Sequence, residues 1–579
     1  MTVTTEMWVK AVMSVVALAV ILLRRRDAVR PERRRAGQLL GFLAGVALLA
    51  YFNFGSFHGP NYLHYPELFH YFLGSKYFPE LGYDGLYVAS LAAEKQSDPA
   101  IPLPPQTRDL RTNRIVPTVE LAAHEDEVRR RFTAARWQSF VADHRFFLSP
   151  QLLPVLARVR LDHGYNPSPT WTFVGRLFTA WLPCTTTVLT ALTLLDLALL
   201  AVAFGVVFRV WGPRTATLAL ILFGLGYPWR YVWVGGALLR FDWLAALLAS
   251  LCFLRRGRHA AAGALLAYAT AVRLFPLLFL FPIAVAAVRD LVRRADARWV
   301  WRFAAGCAGS AILCAMAGSL TGRGVEAWPE FERDIAKHRG TWSTNTEGLE
   351  LAVLYSPATM TSRLPASWPL LDRWTVWQDR MNRAQHERWP FYLVAAALLL
   401  VLVAAAAWRA PVEEAAVLGV AAVFALLVLS CYYWVMLVAM PMRRGTLTTS
   451  GLLGLNVVLC GAEILHQPTE VTYAIMAWAL LALFLAWLLP AALRTLRREP
   501  AFVTSSGESS SRSRPRPGAR RDGRRRQRLP SAVARLGWLA RSWRAGGTIQ
   551  SGVETGGRLA DRWDRPGDQV PCWMAGAAR

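Results

Sequence analysis

The chain has 579 residues, 54% of them hydrophobic, and a formal net charge of +26 at pH 7. Its apolar residues gather in runs that approach or exceed the roughly 17–25 residues a bilayer crossing needs, which excludes a string of ordinary soluble domains. Its basic residues form blocks beside those runs, the positive-inside pattern of a polytopic membrane protein and not the footprint of a nucleic-acid binder.

In chain order, Trp8–Leu23 is the first such run. Arg24, Arg25 and Arg26 follow it and do not precede it, and no small-residue cleavage site comes after. It therefore reads as a membrane helix, not a secretory signal. With Arg24–Arg35 as a cytoplasmic marker, a second helix over 37–54 runs outward to a large outer loop, 55–183. Helices over 185–208, 215–231 and 237–254 follow and end at Arg255, Arg256 and Arg258. Two short segments, 259–272 and 274–289, meet at Arg273–Pro276 and return the chain to the Arg289–Arg302 block. A helix over 303–320 leads to a second outer loop, 321–389. Segments over 390–408, 413–430, 431–442, 446–465 and 471–493 complete the series. The expectation is an all-α polytopic bundle of about 11–13 transmembrane helices with an outer N-terminus, the shorter segments being broken or re-entrant. Residues 494–579, rich in Arg, Ser, Gly and Pro, are expected to form a disordered cytoplasmic tail.

The outer loops carry helical patterns of their own. Tyr65, Leu68, Phe69, Phe72, Leu73 and Lys76–Tyr77 recur at helical spacing, which predicts an amphipathic helix on the membrane surface. Leu121–Phe140 predicts a charged surface helix. Glu326–Lys337 and Asp372–Arg388 predict two more polar helices studded with Trp, a residue suited to the membrane interface.

The candidate chemistry lies on the outer side. Glu67 and Asp84 are carboxylates that could take a proton from a hydroxyl in a partly apolar site; the plainer role for either is a solvated loop acid or a cap. Glu67 sits one turn before His70, and Asp84 sits between Tyr83 and Gly85 in an aromatic turn. Arg273 lies inside an apolar span beside helix-breaking Pro276, which suits an anion site, the alternative being a guanidinium that reaches for the interface. Arg240 and Asp242 stand together at a helix mouth, where they could neutralise each other. Asp196 is a lone acid in a helix, whose plainer role is an interhelical hydrogen bond. Lys337, His338 and Arg339 precede the polar turn at Asn345, a set suited to phosphate and sugar hydroxyls or simply to water.

The seven Cys show no CxxC or Cys/His metal spacing,. His58, His64 and His70 recur at intervals of six, which does not place them on one helical face. No P-loop, HExxH or Rossmann glycine pattern occurs. No metal site is expected, no cofactor is required by these motifs, and a divalent cation (Mg or Mn) is left open.

Four stretches together resemble the GT-C fold glycosyltransferases, bacterial mannosyl- and arabinosyltransferase-like enzymes similar to glycosyltransferase family 87. Glu67–Tyr87 resembles the acidic residue after the family's first core helix, with its aromatic helix and Gly-Tyr-x-x-Leu-Tyr ending. Ala260–Pro282 resembles a small-residue hairpin ending in Lys-x-x-Pro, with Arg273 where Lys is more usual. His338–Leu349 resembles an outer loop with Asn shortly before Leu, and Ser430–Pro441 a late Ser-x-x-Tyr segment. The resemblance spans roughly residues 37–493, so residues 1–36 stand as an extra N-terminal helix and basic loop. It implies a polyprenyl-phosphate-linked sugar donor, a lipid, glycan or protein acceptor, inversion at the anomeric carbon, and an inner-membrane enzyme with its active site outside the cell. It implies Glu67 or Asp84 as base, with Arg273, Arg240, Lys337, His338, Arg339, Asn345 and His70 around the donor. The competing classes are a lipid or polysaccharide transporter or flippase, for which intramembrane charges also serve, and a non-catalytic envelope-assembly protein.

Overall fold

The computed structural model describes residues 2–496, apart from 27–29, 60, 366, 368 and 369. The expected tail lies outside the described residues beyond Leu496. Within them the chain is predominantly helical, and seven helices are long and apolar enough to cross a membrane: Val3–Leu23, Thr186–Trp211, Phe275–Val292, Arg298–Ser319, Arg373–Ala407, Leu447–Ile464 and Thr469–Leu493. This is the all-α polytopic architecture expected.

Seven is fewer than the 11–13 crossings expected, and several of the expected segments are short or broken. Pro213–Leu225 and His259–Val272 are apolar but short. Asp242–Arg255 has 14 residues, which at about 1.5 Å per residue falls short of a hydrocarbon core of about 30 Å. The expected 413–430 segment is two helices, Val412–Val417 and Gly419–Leu426, and Cys431–Met442 winds as a 3₁₀ helix with Pro441 inside. The break at Arg273 is as expected. The helix His259–Val272 ends there, Arg273 is extended, and Pro276 lies in the first turn of the 3₁₀ segment Phe275–Phe279,.

Three sequence expectations change. The 65–77 segment is not two-faced: His70, Tyr71, Phe72, Leu73, Lys76 and Tyr77 are all buried. The polar exception, Lys76, is paired with Asp143 at 2.6 Å and donates to the Leu182 carbonyl, so it needs no water. Leu121–Phe140 is not one helix but falls across Thr118–Ala122, Glu125–Arg129 and the start of Ala134–Arg145. Asp372–Arg388 is not separate from the following span; Leu370–Ala407 is one continuous helix that carries Pro390.

Two small antiparallel pairings complete the fold. Strand β1 (Gln106–Asp109) pairs with β2 (Arg114–Pro117) through a turn in which Asn113 is left-handed,. Strand β3 (Thr346–Glu347) pairs with β4 (Leu429–Ser430) and ties the second long loop to the start of the 431–442 segment. The first helix docks on Leu447–Ile464 through polar groups as well as apolar ones. Asn456 donates to Ser14 Oγ at 2.9 Å and accepts from the Tyr227 amide at 2.7 Å, so one buried side chain ties the first helix and the 227 turn to Leu447–Ile464. Buried polar groups that satisfy one another in this way fix the register of a helix pair.

The closest helix contact is made by glycine. A Cβ on Gly306 would stand 1.9 Å from the Ala260 carbonyl oxygen, and one on Gly263 would stand 2.2 Å from that of Phe303. The helices His259–Val272 and Arg298–Ser319 therefore touch backbone to backbone, as small-residue interfaces allow. Gly306→Leu is expected to push them apart at about 1–3 kcal/mol, read as a lowered midpoint of thermal unfolding in detergent; Gly309→Leu, with open space at its Cβ position, is expected to be neutral.

Candidate active site

The site begins at the left-handed turn before Arg240. Leu239 adopts φ 48°, a conformation that needs support in a residue with a Cβ,. Support comes from Trp171, whose indole N–H donates to the Leu239 carbonyl at 3.0 Å. It comes also from Asp196, the lone acid in Thr186–Trp211, which accepts from the Arg240 amide at 2.7 Å and the Phe241 amide at 3.1 Å. The plainer expectation for Asp196, a hydrogen bond across helices, changes in its partner: the carboxylate holds amides of the turn that precedes Asp242–Arg255.

The turn aims the Arg240 guanidinium at the first long loop. Its partner is Glu67 at 3.3 Å and not the adjacent Asp242. Asp242 instead accepts from the Tyr268 hydroxyl at 3.1 Å and caps the Trp243 amide at 2.8 Å. Arg240 also donates to the Tyr71 hydroxyl and stacks on the rings of Tyr71 (4.5 Å) and Tyr432 (5.2 Å),. Glu67 and Tyr71 reach the same cation because they are four residues apart on one helical face. Pro66 opens that helix, and the His64 ring accepts the Glu67 amide at 3.2 Å as its cap,. Burial pushes the Glu67 carboxyl above its ordinary range despite the opposing pull of Arg240 and Arg273,.

Arg273 lies near the same ring, 5.9 Å from Tyr71 and 5.9 Å from Trp171. It is buried, and one of its N–H groups donates to the Val272 carbonyl at 3.1 Å. Its Nε and Nη2 have no hydrogen-bond partner. A buried guanidinium with idle donors is costly and marks a place where an anion would be held.

Behind Glu67 lie His70, which the resemblance implied near the donor, and two groups that sequence reasoning did not single out, Tyr87 and Asp162. His70 is buried, its Nε2 is 2.8 Å from the Tyr87 hydroxyl, and its Nδ1 is 4.0 Å from Asp162. Asp162 feels both Glu67 and His338, and burial pushes it up to about 6. Burial likewise lowers His70 to about 3, so its ring is neutral at neutral pH,. Tyr71, Trp171 and Tyr432 had no signal beyond being aromatic. Tyr71 had one overlooked sign, its i+4 spacing from Glu67.

The remaining candidates divide. Asp84 pairs with Arg131 at 3.1 Å, and Arg131 also holds Glu127. Lys337 is engaged by Asp334 at 3.0 Å and the Leu110 carbonyl at 2.6 Å. His338 pairs with Asp334 at 3.3 Å and stands 5.2 Å, ring to ring, from His163. The Arg339 side chain lies outside the described residues. Asn345 accepts the Cys431 amide at 2.8 Å through its carbonyl, which ties the second long loop to the residue before Tyr432. Among the described residues no three His, Cys, Asp or Glu side chains come together to hold a metal ion. A large apolar groove, about 580 Å³, lies between Phe281–Val288 and Val401–Trp408, and no titratable side chain lines it.

Comparison of the chain with family models, with curated proteins and with solved structures returns no match.

Asp196→Ala removes the acceptor of two buried amides, each worth about 1–3 kcal/mol when orphaned. The amide hydrogens of Arg240 and Phe241 are expected to exchange at least about tenfold faster, measured by mass spectrometry on detergent-solubilised protein, while those of the first helix keep their protection.

Proposed function

We propose that this chain is a membrane glycosyltransferase of GT-C-like architecture. It moves a sugar, a hexose such as mannose or a pentose, from a polyprenyl-phosphate donor to an extracytoplasmic glycolipid, polysaccharide or protein, with inversion. The observation that carries the reading is Arg273: a buried cation with two idle N–H donors, next to a second arginine and within electrostatic reach of loop carboxylates. A planar guanidinium matches a phosphate.

On this reading the donor phosphate lies against Arg273, with Arg240 as second cation. The acceptor hydroxyl attacks the anomeric carbon, its proton passes to a loop carboxylate, and the lipid phosphate departs. The donor carries one negative charge on its phosphodiester and the departing monoester carries two. Fixed cations stabilise the departing group more than the bound one, the form of stabilisation that lowers a barrier. Glu67 pairs with Arg240, and Asp162 is a further loop carboxylate within electrostatic reach of Glu67. Asp84 is held by Arg131.

The test is incubation of purified protein with a panel of polyprenyl-phosphate sugars and acceptors, following release of the lipid phosphate. The wild-type protein is expected to release it from at least one donor, and Arg273→Met to reduce the rate by about 10²–10³-fold, the size expected for loss of one charge-stabilising group. Movement of an intact donor lipid across a vesicle membrane with no phosphate released would replace this reading with the flippase.

A further inference from the structure

The geometry points to Asp162, backed by His70, as the group that takes the acceptor's proton, with Glu67 kept as the counter-charge of Arg240. The inference deepens the glycosyltransferase reading and rests on it.

The hydrogen bonds around Tyr87 assign the His70 tautomer. The Tyr87 hydroxyl has one proton and lies 2.7 Å from the Val159 carbonyl and 3.1 Å from that of Asp162. Two carbonyls accept and do not donate, so that proton is committed to them. His70 Nε2, 2.8 Å from the same hydroxyl oxygen, must therefore be the N–H donor. In a neutral ring this leaves Nδ1 with a lone pair. The group facing that lone pair at 4.0 Å is Asp162 Oδ2. Ionised Asp162 offers nothing to it, but protonated Asp162 can donate an O–H. The pair is arranged to receive one proton.

The rest of the carboxylate is free for the task. Asp162 Oδ1 takes the His163 amide at 2.8 Å and so fixes the plane. Its side chain is 25% exposed, open to an incoming hydroxyl. Arg108 donates through Nε to the Leu161 carbonyl (2.9 Å) and through Nη1 to the Asn113 carbonyl (2.7 Å), and adds positive potential at Asp162. His338 approaches from Ala327–Arg339, and His163 is its chain neighbour. Glu67 is in the opposite position. A proton on it would strip Arg240, whose side chain is 2% exposed, of its ion-pair partner, and breaking a buried pair is costly.

The step balances. The acceptor oxygen bonds to the anomeric carbon, the bond from that carbon to the phosphate oxygen breaks with its electron pair going to the phosphate, and the hydroxyl proton goes to Asp162 Oδ2. The protonated acid then faces the His70 Nδ1 lone pair, 4.0 Å away, until water removes the proton. The groups that set its titration are Glu67 and His70 from the 65–73 segment, Arg108 from β1, His163 beside it and His338 opposite.

The experiment is the pH dependence of lipid-phosphate release by wild-type protein, Asp162→Asn, Glu67→Gln and His70→Leu. A base must be ionised to act, so the wild-type rate is expected to fall with unit slope as pH drops below about 6, where Asp162 protonates,. Asp162→Asn is expected to lose at least about 100-fold in kcat with the donor KM within about threefold, and to lose the acid limb. Loss of the Nδ1 lone pair that faces Asp162 in His70→Leu removes a dipole that favours the protonated acid and is expected to shift the limb to lower pH. Asp162→Asn is also expected to unfold no more readily than wild type at pH 7, since it removes a charge that burial disfavours. A wild-type enzyme whose acid limb persists in Asp162→Asn with kcat within threefold overturns this inference alone. A wild-type protein that releases no phosphate from any donor overturns the function proposed above it.

Discussion

The burial of the Arg240 guanidinium is the constraint on which the rest of the site depends. A desolvated cation costs several kcal/mol unless an anion and oriented dipoles replace its water. The fold meets that cost from three directions: Glu67 supplies charge, Tyr71 supplies a hydroxyl and a ring face, and Tyr432 supplies a second ring. Glu67 and Tyr71 come from the first long loop and Tyr432 from the 431–442 segment, so neutralising one side chain draws both of these and the 237–242 turn to a common point. Asp196 acts one step further back. It holds no guanidinium but grips the two backbone amides that aim one.

This arrangement leaves the second arginine deliberately different from the first. Both guanidinium groups lie near the Tyr71 ring, and Glu67 pairs with Arg240. Asp242 feels the Arg273 charge, but the hydrogen bonds it accepts come from the Tyr268 hydroxyl and the Trp243 amide. The site thus holds one satisfied cation and one with donors to spare. A fold that merely tolerated two buried charges would have paired both.

The sequence was legible where composition and covalent geometry act locally. Apolar runs marked the helical bundle, Pro276 marked the break that presents Arg273, and Asp196 was read as a hydrogen-bonding acid. Its partner, a turn and not a helix, was not legible, because Arg240 lies 44 positions away. Glu67 was found as an acid near an aromatic helix, but its pairing with Arg240 over Asp242 depends on the left-handed turn at Leu239, which no local pattern announces. The 65–77 segment was misread for a related reason. Its single cation, Lys76, suggested a wet face, whereas Asp143 from a separate helix buries it. Asp162 gave no signal at all. It is an ordinary Asp in a loop until Tyr87 and His70, far earlier in the chain, are folded against it.

The separation of duties between the two carboxylates follows from the same electrostatics. A group that neutralises a buried cation must stay ionised throughout a reaction, because its protonation and the cation's exposure are one event. A group that receives a proton must change charge freely, which requires that no buried ion pair depend on it. Glu67 and Asp162 are close enough to feel each other. That proximity reinforces the division: the standing negative charge on Glu67 makes a proton on Asp162 easier to accept. A single carboxylate doing both jobs would have to release Arg240 at the moment when, on the proposed reading, the departing phosphate gains its second charge and needs that arginine most. Two carboxylates, one fixed and one free, let the cations turn toward the leaving group while the proton goes elsewhere.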